Sequence, residues 1–225
     1  LASLGGGKDV AEIAGLLVSD DAELSKAAYA TLVALKGDDV NPAIASAWTN
    51  GPAARRALLL DILTDRRADQ TLSLASQGLS ESELSLRIAA LRALAPLGGN
   101  EQVSLILSNL AKASEASERT AIEKALSGIA SRCGEALLPD ILDAMTGASV
   151  ESRIVLLHVV AKIGGPQALE TVCAATSDAQ GAIAEEAVRV LAEWPTIDAA
   201  PFLFALAKSD DLSRHVLGLR GYVRL

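Results

Sequence analysis

Aromatic residues are scarce in this chain. Only 3% of its 225 residues are Phe, Trp or Tyr, although half of the residues are hydrophobic. The core must therefore be built from Ala, Leu, Ile and Val, whose small side chains suit thin, closely packed layers. Disorder is disfavoured as well, because an apolar fraction of 50% supplies the burial that offsets the entropy lost on ordering the chain.

The chain also has fewer positive than negative charges, few cysteines and no long apolar run. Its 20 Lys and Arg against 28 Asp and Glu give a net charge of −8, which argues against nucleic-acid binding because that function needs a cationic surface. Two cysteines, Cys133 and Cys173, are too few for a disulfide scaffold and leave the cellular compartment undetermined. The longest uncharged apolar stretch with helical character, 154–161, is about two turns, so we expect no membrane span.

One apolar position recurs along the whole chain at a nearly constant interval, and we call it the seam position. Its seven copies are separated by 31, 31, 35, 31, 31 and 31 residues. They are Tyr29, Leu60, Leu91, Leu126, Leu157, Val188 and Leu219. The residue three positions later is apolar in every copy, and the residue one position earlier is small or aliphatic. This regularity indicates an internal repeat of about 31 residues.

Within each copy the apolar spacing is that of a helix rather than a strand. Apolar side chains one residue before the seam position, at it and three residues after it form one face of an amphipathic helix. A second apolar series begins twelve residues after the seam position, so each repeat is an antiparallel helical hairpin that buries its faces by stacking on its neighbours. Glycines separate the helices, and we expect them to end helices at positive φ. They are Gly98, Gly99, Gly134, Gly164 and Gly165.

The register predicts one irregularity and two cut ends. The interval of 35 residues fits a four-residue insertion within 111–121, between the two helices of that repeat. Stepping back one repeat from Tyr29 places Leu1 and Leu4 in a helix that begins before the chain, and Leu225 falls inside the last helix. We therefore expect residues 1–225 to form a single solenoid that is a piece of a longer polypeptide.

The pattern Arg-x-x-x-Leu-x-x-Leu-x-x-Leu-Gly-Gly at Arg87–Gly99, with its copy at Arg153–Gly165, resembles the HEAT family of helical repeats. The form is the short bacterial one often called phycobilin-lyase-like, and the resemblance covers essentially the whole chain. It implies an all-α, right-handed α-α superhelix of about seven stacked hairpins, with second helices lining the concave side. Because family members mostly act as scaffolds or partner-binding surfaces, it implies a non-catalytic protein-interaction module of a larger bacterial protein.

Two segments near the end, Val188–Pro195 and Leu217–Leu225, are similar to a narrower group. That group comprises HEAT regions of large, often exported bacterial proteins that also carry a jelly-roll sugar-hydrolase-like domain or a cytochrome c domain. The similarity implies an alternative function, an accessory solenoid of an exported carbohydrate-acting enzyme whose catalytic domain lies outside this chain. A third alternative, a lyase-like enzyme acting on a bound chromophore, requires a pigment that co-purifies with the protein.

No motif predicts catalysis, a metal or a cofactor. Iron-dependent hydroxylases of the HEAT type use paired His-Glu motifs, whereas His158 and His215 are each followed by valine and lie two repeats apart. Cys173 falls on the apolar series of its helix, where a free cysteine packs as a small hydrophobe. Trp48 and Trp194 also take apolar positions, and we expect them to fill the core. We predict no catalytic residue, no metal site and no cofactor.

Two sets of charged residues recur in the repeat. Arg56, Arg87 and Arg153 each precede a seam residue by four positions, which predicts bonds to carboxylates or helix ends between repeats. The second set lies one and five positions after the seam position, on the polar face of the second helix, and becomes cationic toward the C-terminus.

From this stripe we select five candidate binding residues: Arg92, His158, Lys162, Arg189 and Arg220. If second helices line the concave side, the stripe faces the groove and is a surface for an anionic protein partner. The alternative is an ordinary solvated helix face.

Overall fold

The computed structural model describes residues 5–225, and this range contains fourteen α-helices and no β-strand. The predicted places of Leu1 and Leu4 in the repeat lie outside the described residues. The first helices of the hairpins are α1 (Val10–Gly15), α3 (Val40–Thr49), α5 (Thr71–Gly78), α7 (Asn100–Leu110), α9 (Leu138–Met145), α11 (Pro166–Ala175) and α13 (Ala200–Leu206). The second helices are α2 (Ala22–Ala34), α4 (Ala53–Asp65), α6 (Leu84–Leu97), α8 (Ala116–Cys133), α10 (Val150–Ile163), α12 (Gly181–Ala192) and α14 (Leu212–Arg224).

The helices pair and stack as the repeat predicts. Each odd-numbered helix packs against the even-numbered helix that follows it, which gives seven hairpins, and each hairpin packs against the next. The chain is therefore an all-helical solenoid, and the predicted fold class is confirmed.

The two layers of the solenoid are packed differently. Every pair of neighbouring even-numbered helices from α2 to α14 is in contact, whereas the contacts between neighbouring odd-numbered helices are weak outside α1–α3 and α7–α9. The second helices are therefore the more continuously packed layer. This is the layer expected above to line the concave side, and we call it the concave layer.

The core follows the seam. In the five hairpins from α4 to α12, the seam residue and the residue three positions later are at most 1% exposed. Trp48 and Trp194 are buried as predicted. Cys173 is half-buried against the core, and burial raises the pKa of its thiol to about 11, which makes it a poor nucleophile near neutral pH.

Glycine ends helices in two different ways. Gly134 and Gly164 adopt positive φ of 60° and 72°, as predicted. The same prediction is wrong at Gly98 and Gly99, whose φ values are −65° and −127°. Gly98 shows why. There a Cβ atom would lie 2.7 Å from the carbonyl oxygen of Leu94 and 3.1 Å from Cδ1 of Ile129. A side chain at Gly98 would therefore collide with the last turn of α6 and press on Ile129 of α8.

The predicted insertion falls within 111–121 but does not lengthen the connection between the helices. Helix α8 has 18 residues, against 12 to 14 in the other second helices. It begins ten residues before its seam residue Leu126, whereas the others begin seven residues before theirs. The extra residues form an additional turn, in which the backbone can satisfy its own hydrogen bonds.

Candidate binding surface on the concave layer

Polar side chains on the concave layer pair across successive repeats. The hydroxyl of Tyr29 on α2 donates to Asp65 on α4 over 2.8 Å. Asp61 on α4 accepts a bond of 2.6 Å from Arg92 on α6. Partial burial and the bond to Asp65 raise the pKa of Tyr29. These polar side chains of the concave layer are thus engaged in hydrogen bonds and ion pairs between repeats.

His158 is the centre of the second half of this surface. Its Nδ1 lies 3.1 Å from Glu123 on α8 and its Nε2 lies 3.0 Å from Glu186 on α12, so one imidazole joins three consecutive second helices. The hydrogen bond to Glu123 is the main reason that the pKa of His158 rises to about 9; the bond to Glu186 adds to it, against the opposing effect of burial. The ring is therefore a cation at neutral pH.

Arg189 continues the same network along α12. Its guanidinium donates to Glu186 over 2.6 Å and lies 3.6 Å from Glu185. Partial burial opposes ionisation of Glu186, but the bonds from His158 and Arg189 outweigh it and hold the pKa of this carboxyl below its ordinary value. Glu186 is therefore a carboxylate at neutral pH and bonds to both His158 and Arg189.

A groove lies beside the cluster, between α8, α10 and α12. Its volume is about 440 Å³. Ala161, Val190, Trp194 and Pro195 provide an apolar floor, and the charged network forms the rim. Lys162 completes the rim as an exposed cation, with no carboxylate within 4.0 Å of its ammonium group among residues 5–225. The groove can accept an apolar group and offers one cation free of ion pairs.

The structure brings three of the five candidate residues together. His158, Lys162 and Arg189 line the groove. Arg92 and Arg220 lie farther along the concave layer, where Arg92 pairs with Asp61 and Arg220 lies 3.7 Å from Glu193.

Sequence reasoning missed the carboxylates that hold this surface, Glu123 and Glu186. They lie three and two residues before their seam positions, one helical turn away from the stripe that we followed. Comparing each charged residue with residues of opposite charge on the same helix face in the next repeat would have found them.

The predicted arginine series joins neighbouring hairpins. Arg56, Arg87 and Arg153 bond to carboxylates in the following hairpin, and these are Glu81, Glu118 and Asp178. The Arg87–Glu118 pair has two hydrogen bonds, and its Glu118 side chain is only 4% exposed.

A second arginine series was not predicted. Arg66, Arg132 and Arg224 lie five or six residues after their seam positions and donate to backbone carbonyls at the end of the preceding second helix. Those carbonyls have no partner within their own helix, so each guanidinium satisfies a helix end and fixes the distance between repeats.

Residues 5–225 contain no group of three or more His, Cys, Asp and Glu side chains with the arrangement of a metal site. None of the helices in this range is long and apolar enough to span a bilayer.

Comparison with known proteins gives structural neighbours only. No family model and no curated protein matches the chain. An engineered protein is 20% identical with a TM-score of 0.48, and the match covers 94% of this chain and 67% of that one. Human deoxyhypusine hydroxylase, in complex with glycerol, is 16% identical with a TM-score of 0.39, and 97% of each chain is covered. A designed armadillo repeat protein is 16% identical with a TM-score of 0.39, and the match covers 95% of this chain and 98% of that one.

Proposed function

We propose that this chain is a HEAT-type protein-interaction module without catalytic activity, and that its concave layer holds the partner. The groove between α8, α10 and α12 is the observation that carries this proposal. It combines an apolar floor with a rim whose charges are already fixed, so binding there costs little ordering of side chains.

The ion pairs around the groove determine which of its charged side chains can bind a ligand. His158 and Arg189 are already bonded to Glu123 and Glu186, so they keep the rim in place. Lys162 is the cation that remains available for a ligand, and Val190 and Trp194 line the same groove. We therefore propose a peptide segment that presents an apolar side chain next to a carboxylate. Arg92 and Arg220 serve mainly as joints between repeats.

A random peptide library displayed on phage tests this function. The wild-type chain is expected to enrich peptides that carry an acidic residue beside an apolar one. Lys162→Glu is expected to lose these peptides, because it reverses the charge that binds the carboxylate. Lys112→Glu is the matched control, because Lys112 is an exposed lysine that follows α7 on the other layer.

The outcomes separate a binding groove from a solvated helix face. Equal enrichment by the wild type and Lys162→Glu, or loss of enrichment in Lys112→Glu as well, would contradict the proposal. Charge reversal at Arg189 and Arg220 together, followed by an affinity pull-down from the native host, extends the test to a natural partner. That double variant also breaks ion pairs, so its thermal unfolding has to be compared with the wild type first.

A further inference from the structure

Three cavities recur at the same place in the repeat. They lie between the third and fourth, the fourth and fifth, and the sixth and seventh hairpins, near the C-terminal ends of the first helices. Four register positions line all three: the residues 19 and 20 positions after one seam residue, and those 18 and 21 positions after the next. The cavities therefore arise from the repeat itself, and the first two are open although further hairpins follow on both sides.

The three cavities differ in charge. The first, of about 370 Å³, is lined by charges of both signs, including the carboxylates of Glu81 and Glu118, which oppose an anionic ligand. The second, of about 240 Å³, has no charged side chain among the described residues that line it. The third, of about 360 Å³, lies between α11 and α13, and Arg214 is the one charged residue in its described lining. We call it the α11–α13 cavity.

The α11–α13 cavity is a more polar version of the second cavity. At three shared register positions it has a longer or more polar side chain than the second cavity has. These pairs are Ala111/Ser177, Gly147/Ser209 and Ser152/Arg214. Its apolar lining includes Leu206 and Phe202, and Phe202 is 40% exposed. The cavity thus combines polar donors with an accessible aromatic ring.

Arg214 is held in place and has donors that no other residue uses. Its Nη2 donates to the backbone carbonyl of Thr176 over 3.0 Å, which ties α14 to the end of α11. A guanidinium has five N–H donors. Within residues 5–225 this one has no other hydrogen bond and no carboxylate within 4.0 Å.

The carboxylates near Arg214 leave this cation unpaired. Asp211 and Glu185 line a smaller cavity of about 170 Å³ that Arg214 also lines, but neither forms an ion pair with it. The remaining N–H groups can therefore bind a ligand carboxylate, whose two oxygens match the fork of a guanidinium.

We infer that the α11–α13 cavity binds a small apolar carboxylate, such as an aromatic carboxylic acid. The carboxylate accepts hydrogen bonds from Arg214, and the apolar group contacts Phe202 and Leu206. A volume of about 360 Å³ is at the lower end of the range for small-molecule sites, which fits a ligand of this size. The cavity lies in the layer of first helices, so this site and the concave groove can each fail their tests without affecting the other.

Protection of Cys173 from N-ethylmaleimide tests this inference, because its thiol lines the cavity. The chain carries Cys133→Ser, so that Cys173 is its only thiol. Labelling is measured at about pH 8.5, since the raised pKa of Cys173 makes the reaction slow near neutral pH. The probe is phenylacetate, and phenylacetamide is its uncharged control with the same ring and nearly the same size.

Phenylacetate is expected to bind with a dissociation constant on the order of 1 mM. At ten times that concentration it should slow labelling about tenfold, because the reagent and the ligand compete for one cavity. Phenylacetamide should bind more than about tenfold more weakly, since it cannot form a charge-assisted pair with Arg214. Equal protection by the two compounds, or no protection by phenylacetate far above about 1 mM, overturns the inference.

Variants of Arg214 test the role of its charge. Arg214→Gln should weaken protection by phenylacetate more than about tenfold, whereas Arg214→Lys keeps the charge and should keep most of the protection. Arg220→Gln is the matched control, because Arg220 lies on the same helix but does not line the cavity. Circular dichroism checks that each variant is folded. Full protection in Arg214→Gln, or loss of protection in Arg220→Gln or Arg214→Lys, contradicts the proposed contact.

The second cavity provides a control for non-specific effects of the probe. Leu107 is the register equivalent of Cys173 and lines that cavity. In a chain with Leu107→Cys and both natural cysteines replaced by serine, N-ethylmaleimide should label the new thiol, and phenylacetate should not protect it. Equal protection at this site would show that phenylacetate slows labelling without Arg214, and the inference would be wrong.

Discussion

Single residues on the concave layer act as joints between repeats before they act on any ligand. His158 shows this most clearly, since its two nitrogens bond to Glu123 and Glu186 on either side. A cation held between two carboxylates is a stabilising element whose strength depends on protonation. The cations of this cluster are paired with carboxylates, so the cluster adds no excess positive charge to a chain whose net charge is −8.

The protonation of His158 predicts a specific pH dependence of stability. Its folded pKa of about 9 is above the unfolded value of 6.5, so its contribution is fully present below about pH 6.5 and is lost as pH rises through 9. Such a shift corresponds to about 3 kcal/mol, and solvent screening at this half-buried site reduces our expectation to about 1–2 kcal/mol.

Urea unfolding of the wild type and His158→Gln at pH 6 and pH 9.5 measures this contribution. The stability advantage of the wild type should be larger at pH 6 than at pH 9.5. An advantage that is the same at both pH values would mean that the imidazole is not held as a cation between the two carboxylates.

At the scale of helices, the distance between neighbours is set by small residues. An added Cβ at Gly128 on α8 would lie 2.4 Å from the carbonyl oxygen of Ala95 on α6. The two helices therefore meet at backbone distance, which is how the concave layer becomes the tighter one. Gly181, at the start of α12, has nothing within 4 Å of the same added atom and provides a contrast.

These two glycines give opposite predictions for the same substitution. Gly128→Ala should destabilise the protein by about 1–2 kcal/mol, because overpacking costs about 1–3 kcal/mol and the better helix propensity of alanine returns at most about 1 kcal/mol. Gly181→Ala should be neutral or stabilise by up to about 1 kcal/mol. Thermal unfolding of both variants tests these predictions. Equal changes in stability would show that α6 and α8 can move apart without a cost in free energy.

At the scale of the whole molecule, each interior hairpin packs against two neighbours, and the stability of a solenoid depends on such nearest-neighbour contacts. The contacts among α4, α6, α8 and α10 are the most extensive between second helices. The arginines that cross between hairpins, Arg87 above all, add polar bonds to these interfaces. The middle of the chain should therefore open last.

Native-state hydrogen exchange at low protein concentration tests this order. Amides of α6 and α8 are expected to exchange most slowly, and those of α14 faster, because within residues 5–225 the contacts of α14 with other second helices are less extensive than those between α6 and α8. A uniform exchange rate along all seven hairpins would contradict the prediction and indicate a single cooperative unit.

The sequence by itself determined the architecture. An apolar residue recurs from Tyr29 to Leu219 at intervals of 31 residues, with one interval of 35, and this predicts a stack of hairpins that each bury the same face against a neighbour. The arginine series at Arg56, Arg87 and Arg153 was predictable for the same reason. A residue that recurs in register meets the same surroundings in each repeat.

Only the tertiary structure decided what the irregular residues do. Gly98 and Gly164 take equivalent positions, yet one permits close packing and the other a positive φ, because the distance of the neighbouring helix differs. The cationic stripe read from the sequence is largely neutralised, because Glu123 and Glu186 come from adjacent helices one turn off the register. Which charges remain available depends on distances between side chains on different helices, and a repeat pattern in one chain does not contain those distances.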